Sequence, residues 1–101
     1  MFFVYIITNK PNGTLYIGHT DDLGKRIYQH KTKELEGFSK KYGLDRLVWF
    51  EVHGSRDSAF KKERQMKFWR RAWKIEAIEA RNPDWEDLSF EFGLDPGSSP
   101  G

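Results

Sequence analysis

Cysteine is absent from the 101 residues, which excludes disulfides, thiolate nucleophiles and cysteine-based zinc sites and is the usage expected of a cytoplasmic protein. Long hydrophobic runs are missing too. The apolar start "MFFVYIITNK" is too short to span a bilayer and has neither a basic leader nor a small-residue cleavage site, so it reads as neither anchor nor signal peptide. No Gly-rich loop opens a helix, no two acids stand at metal-motif spacing, and three scattered histidines make no zinc motif. Ser39, Ser55 and Ser58 carry no nucleophile-elbow pattern. No internal repeat occurs.

One further absence divides the chain. From Asn82 onward there are five acids and no Lys or Arg, a balance of −5. All 17 Lys and Arg lie at or before Arg81, where 10 acids face them, a balance of +7. A basic body suggests a polyanionic partner, nucleic acid above all, although a solvated helix surface would carry the same charges.

What is present in quantity is aromatic: Phe 8, Trp 4 and Tyr 4 supply the burial that one small domain needs. "FFVYIIT" (2–8) and "TLYIGHT" (14–20) are strand-like runs separated by "NKPNG", a turn signal, and together predict a hairpin. Alternation then places Tyr5 and Tyr16 on one face and Val4, Ile6, Leu15 and Ile17 on the other. Thr20, Asp21 and Asp22 suit the start of a helix running to about Leu35, with Leu23 and Ile27 on its apolar stripe. "EGFSKKYG" reads as a loop and "RLVWFEVH" (46–53) as a third strand. Asp57 or Ser58 caps a long helical stretch to about Arg81, broken near Arg70 and stopped by "NP" at 82–83. The order β-β-α-β-α-α, with too little chain for parallel crossovers, predicts an α+β fold: a three-stranded antiparallel sheet flanked by helices. Residues 1–92 form the domain, and "DPGSSPG" closes a disordered tail over 93–101.

Several side chains in this frame invite chemistry. Tyr5 and Tyr16 share a strand face, and Arg26 and His30, four apart, share a helix face. Glu63 lies at the edge of a stripe formed by Ala59, Met66 and Trp73, where a carboxylate needs a partner. Either a cation further along the helix, Lys67 one turn on or Arg70 two turns on, pairs with it, or it holds a metal ion.

Taken together, "VYI" in the first strand, "YIG" at 16–18, "TDDLGKRIYQH", Glu63 in "ERQMKFWRRAWKIEAI" and "RNPDW" with Asn82 resemble the GIY-YIG nuclease domain, in its small stand-alone bacterial branch. Five pieces in order at matching spacing, over residues 2–88, carry the resemblance. Phe3 stands where the first triplet would begin with glycine, His19 where related repair-nuclease domains have lysine, and His30 where some have tyrosine. The resemblance implies hydrolysis of phosphodiester bonds in nucleic acid, with DNA the expected polymer and repair or recombination the setting. It implies Tyr5, Tyr16, Arg26 and His30 as catalytic residues, Glu63 as the ligand of Mg²⁺ or another divalent cation such as Mn²⁺, and Gly18, His19 and Asn82 in support. Lys25, Lys40, Lys41 and Lys67 are candidate phosphate contacts. A free tyrosine has a pKa near 10, so only about one in a thousand is ionised at neutral pH, and nearby cations must lower that value or stabilise the phenolate as it forms. Gly18 would let backbone or substrate approach closely. Two other readings compete: a nucleic-acid-binding module with weak or no cleavage, and an interaction domain whose tryptophans and acidic tail serve a protein partner.

Overall fold

A computed structural model describes residues 1–33 and 37–92. Three strands form its sheet: β1 (Phe2–Thr8), β2 (Leu15–Thr20) and β3 (Arg46–His53), antiparallel throughout in the order β2-β1-β3. Around them lie α1 (Leu23–Lys31), the short α2 (Phe38–Tyr42), α3 (Arg56–Lys67), α4 (Arg71–Arg81) and a final 3-10 turn (Leu88–Phe92). The α+β class, the strand pairing and the order of the main elements are those predicted. The expected end of the first helix at Leu35 and the tail over 93–101 lie outside the described residues.

Turn chemistry sets the hairpin. Gly13 N–H bonds Lys10 O at 2.9 Å across Pro11 and Asn12, and Asn12 adopts φ 58°, the proline-then-left-handed pattern of a type II turn. The resulting register puts Tyr5 opposite Gly18 and Ile7 opposite Tyr16. Tyr5 and Tyr16 therefore share a face, while Val4, Ile6 and Ile17 occupy the other.

The central strand β1 is buried on both faces, which is why "FFVYIIT" is nearly continuous in apolar residues. On one face Val4, Ile6 and Ile17 pack with Ala59 and Met66 of α3, Ile78 of α4 and Trp85. On the other, Tyr5, Ile7 and Leu47 pack with Leu23 and Ile27 of α1 and with Leu44. Pairing with β3 steps from Ile6↔Trp49 to Ile7↔Leu47, so Val48 is the extra residue of a bulge and joins Trp49 in the first cluster.

Local differences from expectation have local causes. The stretch read as a loop contains α2, closed by Gly43 at φ 65°, the left-handed residue that ends many helices. Ser55 caps α3 by accepting Ser58 N–H at 3.1 Å, ahead of the predicted Asp57 or Ser58, and Asp57 instead serves as a first-turn acid. The break near Arg70 is present: Arg70 is extended at φ −61°, ψ 150° and α4 starts afresh at Arg71. That break resets the helical phase, so Ala59 and Met66 are buried while Trp73 faces solvent.

Several polar groups staple the layers. Asp87 accepts from Lys31 Nζ of α1 at 2.5 Å, Leu47 N–H of β3 at 3.2 Å and Ser89 Oγ at 2.6 Å. Burial raises the Asp87 pKa, but the hydrogen bonds from Lys31 and Ser89 outweigh it and leave the carboxyl below its ordinary range. Glu51, His53 and Ser58 form a chain of 2.8 and 2.6 Å bonds tying the end of β3 to the first turn of α3. Among the described residues, no helix is long and apolar enough to cross a membrane.

Candidate active site

The candidate side chains converge on β2, the sheet edge away from β3, and they approach it from both faces. On the α1 face the rings of Tyr5, Tyr16 and His30 form a triangle with centroid separations of 6.4, 5.9 and 6.1 Å. Gly18 makes the triangle possible. A Cβ there would lie 2.6 Å from Tyr5 Oη and 2.7 Å from its Cζ, so the missing side chain is filled by the Tyr5 phenol and not by an approaching substrate.

Asp22 caps α1 by accepting Lys25 N–H at 3.1 Å, and that start directs Arg26 and His30 toward the sheet. The Arg26 guanidinium hydrogen-bonds the Tyr5 hydroxyl, and Tyr5 Oη lies 3.2 Å from His30 Nε2. Arginine can only donate. Tyr5 Oη therefore accepts from Arg26 and shares a second hydrogen bond with Nε2 of a neutral His30, in the direction set by the imidazole tautomer. Burial first, then the Arg26 charge, lowers the His30 pKa to about 4. Burial likewise pushes the Tyr5 phenol well above its ordinary value, reinforced by Tyr16 and Glu63 and only partly offset by Arg26. Cations therefore do not make Tyr5 the ready phenolate that the sequence suggested for one of the two tyrosines. Tyr5 is a neutral, buried phenol, and Tyr16 is the more exposed of the pair.

The His30 shift has a consequence for stability. The unfolded chain protonates this imidazole below about 6.5, whereas the folded chain resists until about 4, so the unfolded state binds more protons between those values. Stability from this group is complete above about pH 6.5 and is lost as pH falls toward 4, by up to about 3 kcal/mol. Urea unfolding across that window should show the slope, and His30→Gln should flatten it.

On the opposite face, His19 of β2 meets α3. His19 Nδ1 lies 2.8 Å from Glu63 Oε1, and Lys67 Nζ lies 3.2 Å from Glu63 Oε2. Glu63 is only 8% exposed. Of the two cations considered for it, Lys67 pairs with it, whereas Arg70 sits over the Trp73 ring. Lys67 also reaches around the edge, with Nζ 6.0 Å from the centroid of Tyr16. The two faces are thus joined at Tyr16–Lys67–Glu63, a link between residues far apart in sequence.

Among the described residues no three His, Asp or Glu side chains gather into a metal cage. The donor set is one carboxylate, with the half-exposed, flexible Lys67 as its movable counter-ion. One anionic oxygen ligand suits a hard divalent ion that keeps most of its water, so the residues present fit Mg²⁺ or Mn²⁺.

Over residues 1–76 the sequence matches the GIY-YIG catalytic domain. The chain belongs to the GIY-YIG family, a family of nucleases. A UPF0213 protein of Staphylococcus saprophyticus is 30% identical over 76 residues, covering 75% of this chain and 92% of the relative. One from Staphylococcus aureus is 29% identical over 79 residues, covering 78% and 95%. The solution structure of a UPF0213 protein from Bacillus halodurans superposes with a TM-score of 0.53 at 26% identity, covering 86% of this chain and 93% of that one.

The remaining candidates fall elsewhere around the GIY-YIG site. Lys25 is exposed on α1, and Lys40 and Lys41 are exposed on α2. Asn82 is not brought to the tyrosines. Its Nδ2 donates to Val48 O at 3.2 Å and Glu86 O at 2.9 Å, pinning the turn after α4 to β3 across the sheet. Trp85 in that turn takes φ 55°, unusual for a bulky side chain, held by Asn82 O and by Arg46 on its own carbonyl. Sequence reading did not find the His19–Glu63 contact or the hub at Asp87. Both depend on pairings across 40 or more residues.

Proposed function

We propose that this chain is a metal-dependent endonuclease that hydrolyses phosphodiester bonds in nucleic acid, with DNA as the polymer. The observation that supports it is the meeting of a phenol, a cation and a buried carboxylate at one strand edge, at Tyr16, Lys67 and Glu63, with Arg26 behind Tyr5. In-line attack on phosphorus needs an oriented water, charge on the phosphoryl oxygens and help for the leaving oxygen. Arg26, planar and always charged, binds the phosphoryl oxygens. Tyr16 orients the attacking water through a hydrogen bond to its hydroxyl. Tyr5 and neutral His30 hold Arg26 in place and exclude water from behind it. Glu63, steadied by His19, would hold the divalent ion, which when bound supplies Lewis-acid stabilisation of the developing charge.

A second reading has its own support. Both Glu63 oxygens already have partners in His19 and Lys67, as expected of a binding module that cleaves weakly or not at all. One assay separates the two: branched, single-stranded and duplex DNA and RNA incubated with Mg²⁺, with Mn²⁺ and with chelator. Metal-dependent cleavage of any of them supports the nuclease. Binding with no cleavage under every condition promotes the second reading.

Binding itself should weaken steeply with salt, because the basic body over residues 1–81 displaces condensed counterions. Affinity is expected to fall by about 10²-fold or more between 50 and 200 mM salt. A flat response would remove the electrostatic basis for a nucleic-acid partner.

A further inference from the structure

The junction between α3 and α4 exposes aromatic rings in a way the nuclease chemistry does not require. Phe68, the C-cap of α3, is 84% exposed, and Trp73 on the first turns of α4 is 50% exposed. Trp69, half-buried against the core, lines with Trp73, Ala77 and Ala80 an open, shallow slot of about 450 Å³. Glu76 also lines this slot.

The charge along the segment that carries these rings is predominantly positive. Residues 61–74 contain seven Lys and Arg and a single acid, Glu63, which is already paired. Arg70 stacks over Trp73 with Cζ 5.6 Å from the ring centroid, and Lys62 stands 5.4 Å from Trp69. The junction follows the active site directly along the chain: Lys67, which touches both Glu63 and Tyr16, is the last residue of α3, and Phe68 caps it. Arg71 fixes the junction by donating to Asn12 O and Gly13 O of the hairpin turn at 2.7 and 2.6 Å, so the rings sit on a braced element.

We propose that the α3–α4 junction is a stacking platform for unpaired bases, so that the active site takes nucleic acid with single-stranded character. This inference rests on the nucleic-acid reading of the site and deepens it. A strand leaving the phosphate held near Arg26 and Lys67 runs over Phe68 and places a base in the Trp69–Trp73 slot, its phosphates matched by the surrounding cations. Every base has a π-face, so such a platform selects for unpaired bases and not for sequence. A blunt duplex keeps its bases stacked on one another and cannot use it. A protein partner is the less favoured occupant, because exposed rings interleaved with an excess of cations over acids suit a polyanion better than an apolar interface.

The intrinsic fluorescence of the chain reads the slot directly. Trp49 and Trp85 are buried, so a nucleic acid can reach only Trp69 and Trp73. In chelator, where no cleavage occurs, a single-stranded oligothymidylate should quench the emission and a blunt duplex of the same length should not. Phe68→Ala and Trp73→Ala, both at exposed positions, should keep the parent melting temperature. Each should lose about tenfold or more in affinity for the single strand and stay within about twofold on the duplex. Equal losses on both probes, or none, would overturn the platform. So would an oligomer in the parent that the same substitutions dissociate without touching single-strand affinity, because the rings would then be a protein interface. The two readings fail separately. Quenching with the expected losses but no cleavage in Mg²⁺ keeps the platform and removes the nuclease, and cleavage of duplex indifferent to Phe68 and Trp73 does the opposite.

Discussion

In Glu63→Gln, hydrolysis is expected to fall by about 10³-fold or more, while affinity for nucleic acid holds or rises. The amide keeps the size of the side chain and removes the charge that would retain a divalent ion. It also removes a negative charge close to where phosphates bind. Stability moves in a direction that the geometry decides. An unpaired carboxylate beside an apolar stripe would make the substitution neutral or stabilising. Glu63 instead accepts from His19 at 2.8 Å and pairs with Lys67 at 3.2 Å while 8% exposed. The amide has one oxygen to offer two donors, so a loss of about 1–3 kcal/mol is expected. A domain stable by about 5–15 kcal/mol remains folded after such a loss, so unfolding cannot account for a thousandfold drop in rate. Melting curves with and without Mg²⁺ supply the second readout. The parent should be stabilised by the ion through mass action and the variant should not. Full activity in a less stable variant would reduce Glu63 to an ion pair kept for packing.

The same residue shows what the sequence could and could not disclose. Helical spacing alone puts Glu63 at the edge of a buried stripe and Lys67 one turn away, and that pair is present. His19 could not be read as its other partner, because that contact depends on β2 lying under α3 across 44 residues. The common face of Tyr5 and Tyr16 was legible because strand alternation is strict and the turn residues fix the register. Trp73 was misplaced because extrapolating one helical stripe from Ala59 ignores the phase reset at Arg70, although the break itself was visible in the sequence. The Val48 bulge, the short helix over 38–42 and the hub at Asp87 had no comparable local signal. The bulge and the hub arise from pairings between elements distant in sequence. Gly18 was found for the right property, its missing side chain, but the space is taken by Tyr5 and not by a ligand.

That packing separates the two tyrosines, and substitutions at the site should follow the separation. Tyr16→Phe removes a hydroxyl from the partly exposed ring beside Lys67 and keeps the ring that packs there, so the fold should persist while cleavage falls by about 10²–10⁴-fold. Tyr5→Phe removes the hydrogen-bond partner of His30 Nε2 in a buried site, so it should lower stability by about 1–2 kcal/mol and affect rate less than Tyr16→Phe. Arg26→Ala should also cost about 10³-fold in cleavage, and Arg26→Lys should recover only part of it, because an ammonium restores the charge but not the planar fork. Arg26 has a spectroscopic signature as well. Its charge is the second cause holding the His30 pKa down, after burial, so in Arg26→Ala the His30 ring should titrate at a higher pH than in the parent. An NMR titration of the imidazole protons measures that shift without any substrate. If His30 titrates unchanged, Arg26 is not seated against the Tyr5–His30 pair. If Tyr16→Phe cleaves at the parent rate while folded Tyr5→Phe does not, the buried phenol is the working one, and the roles assigned here are reversed.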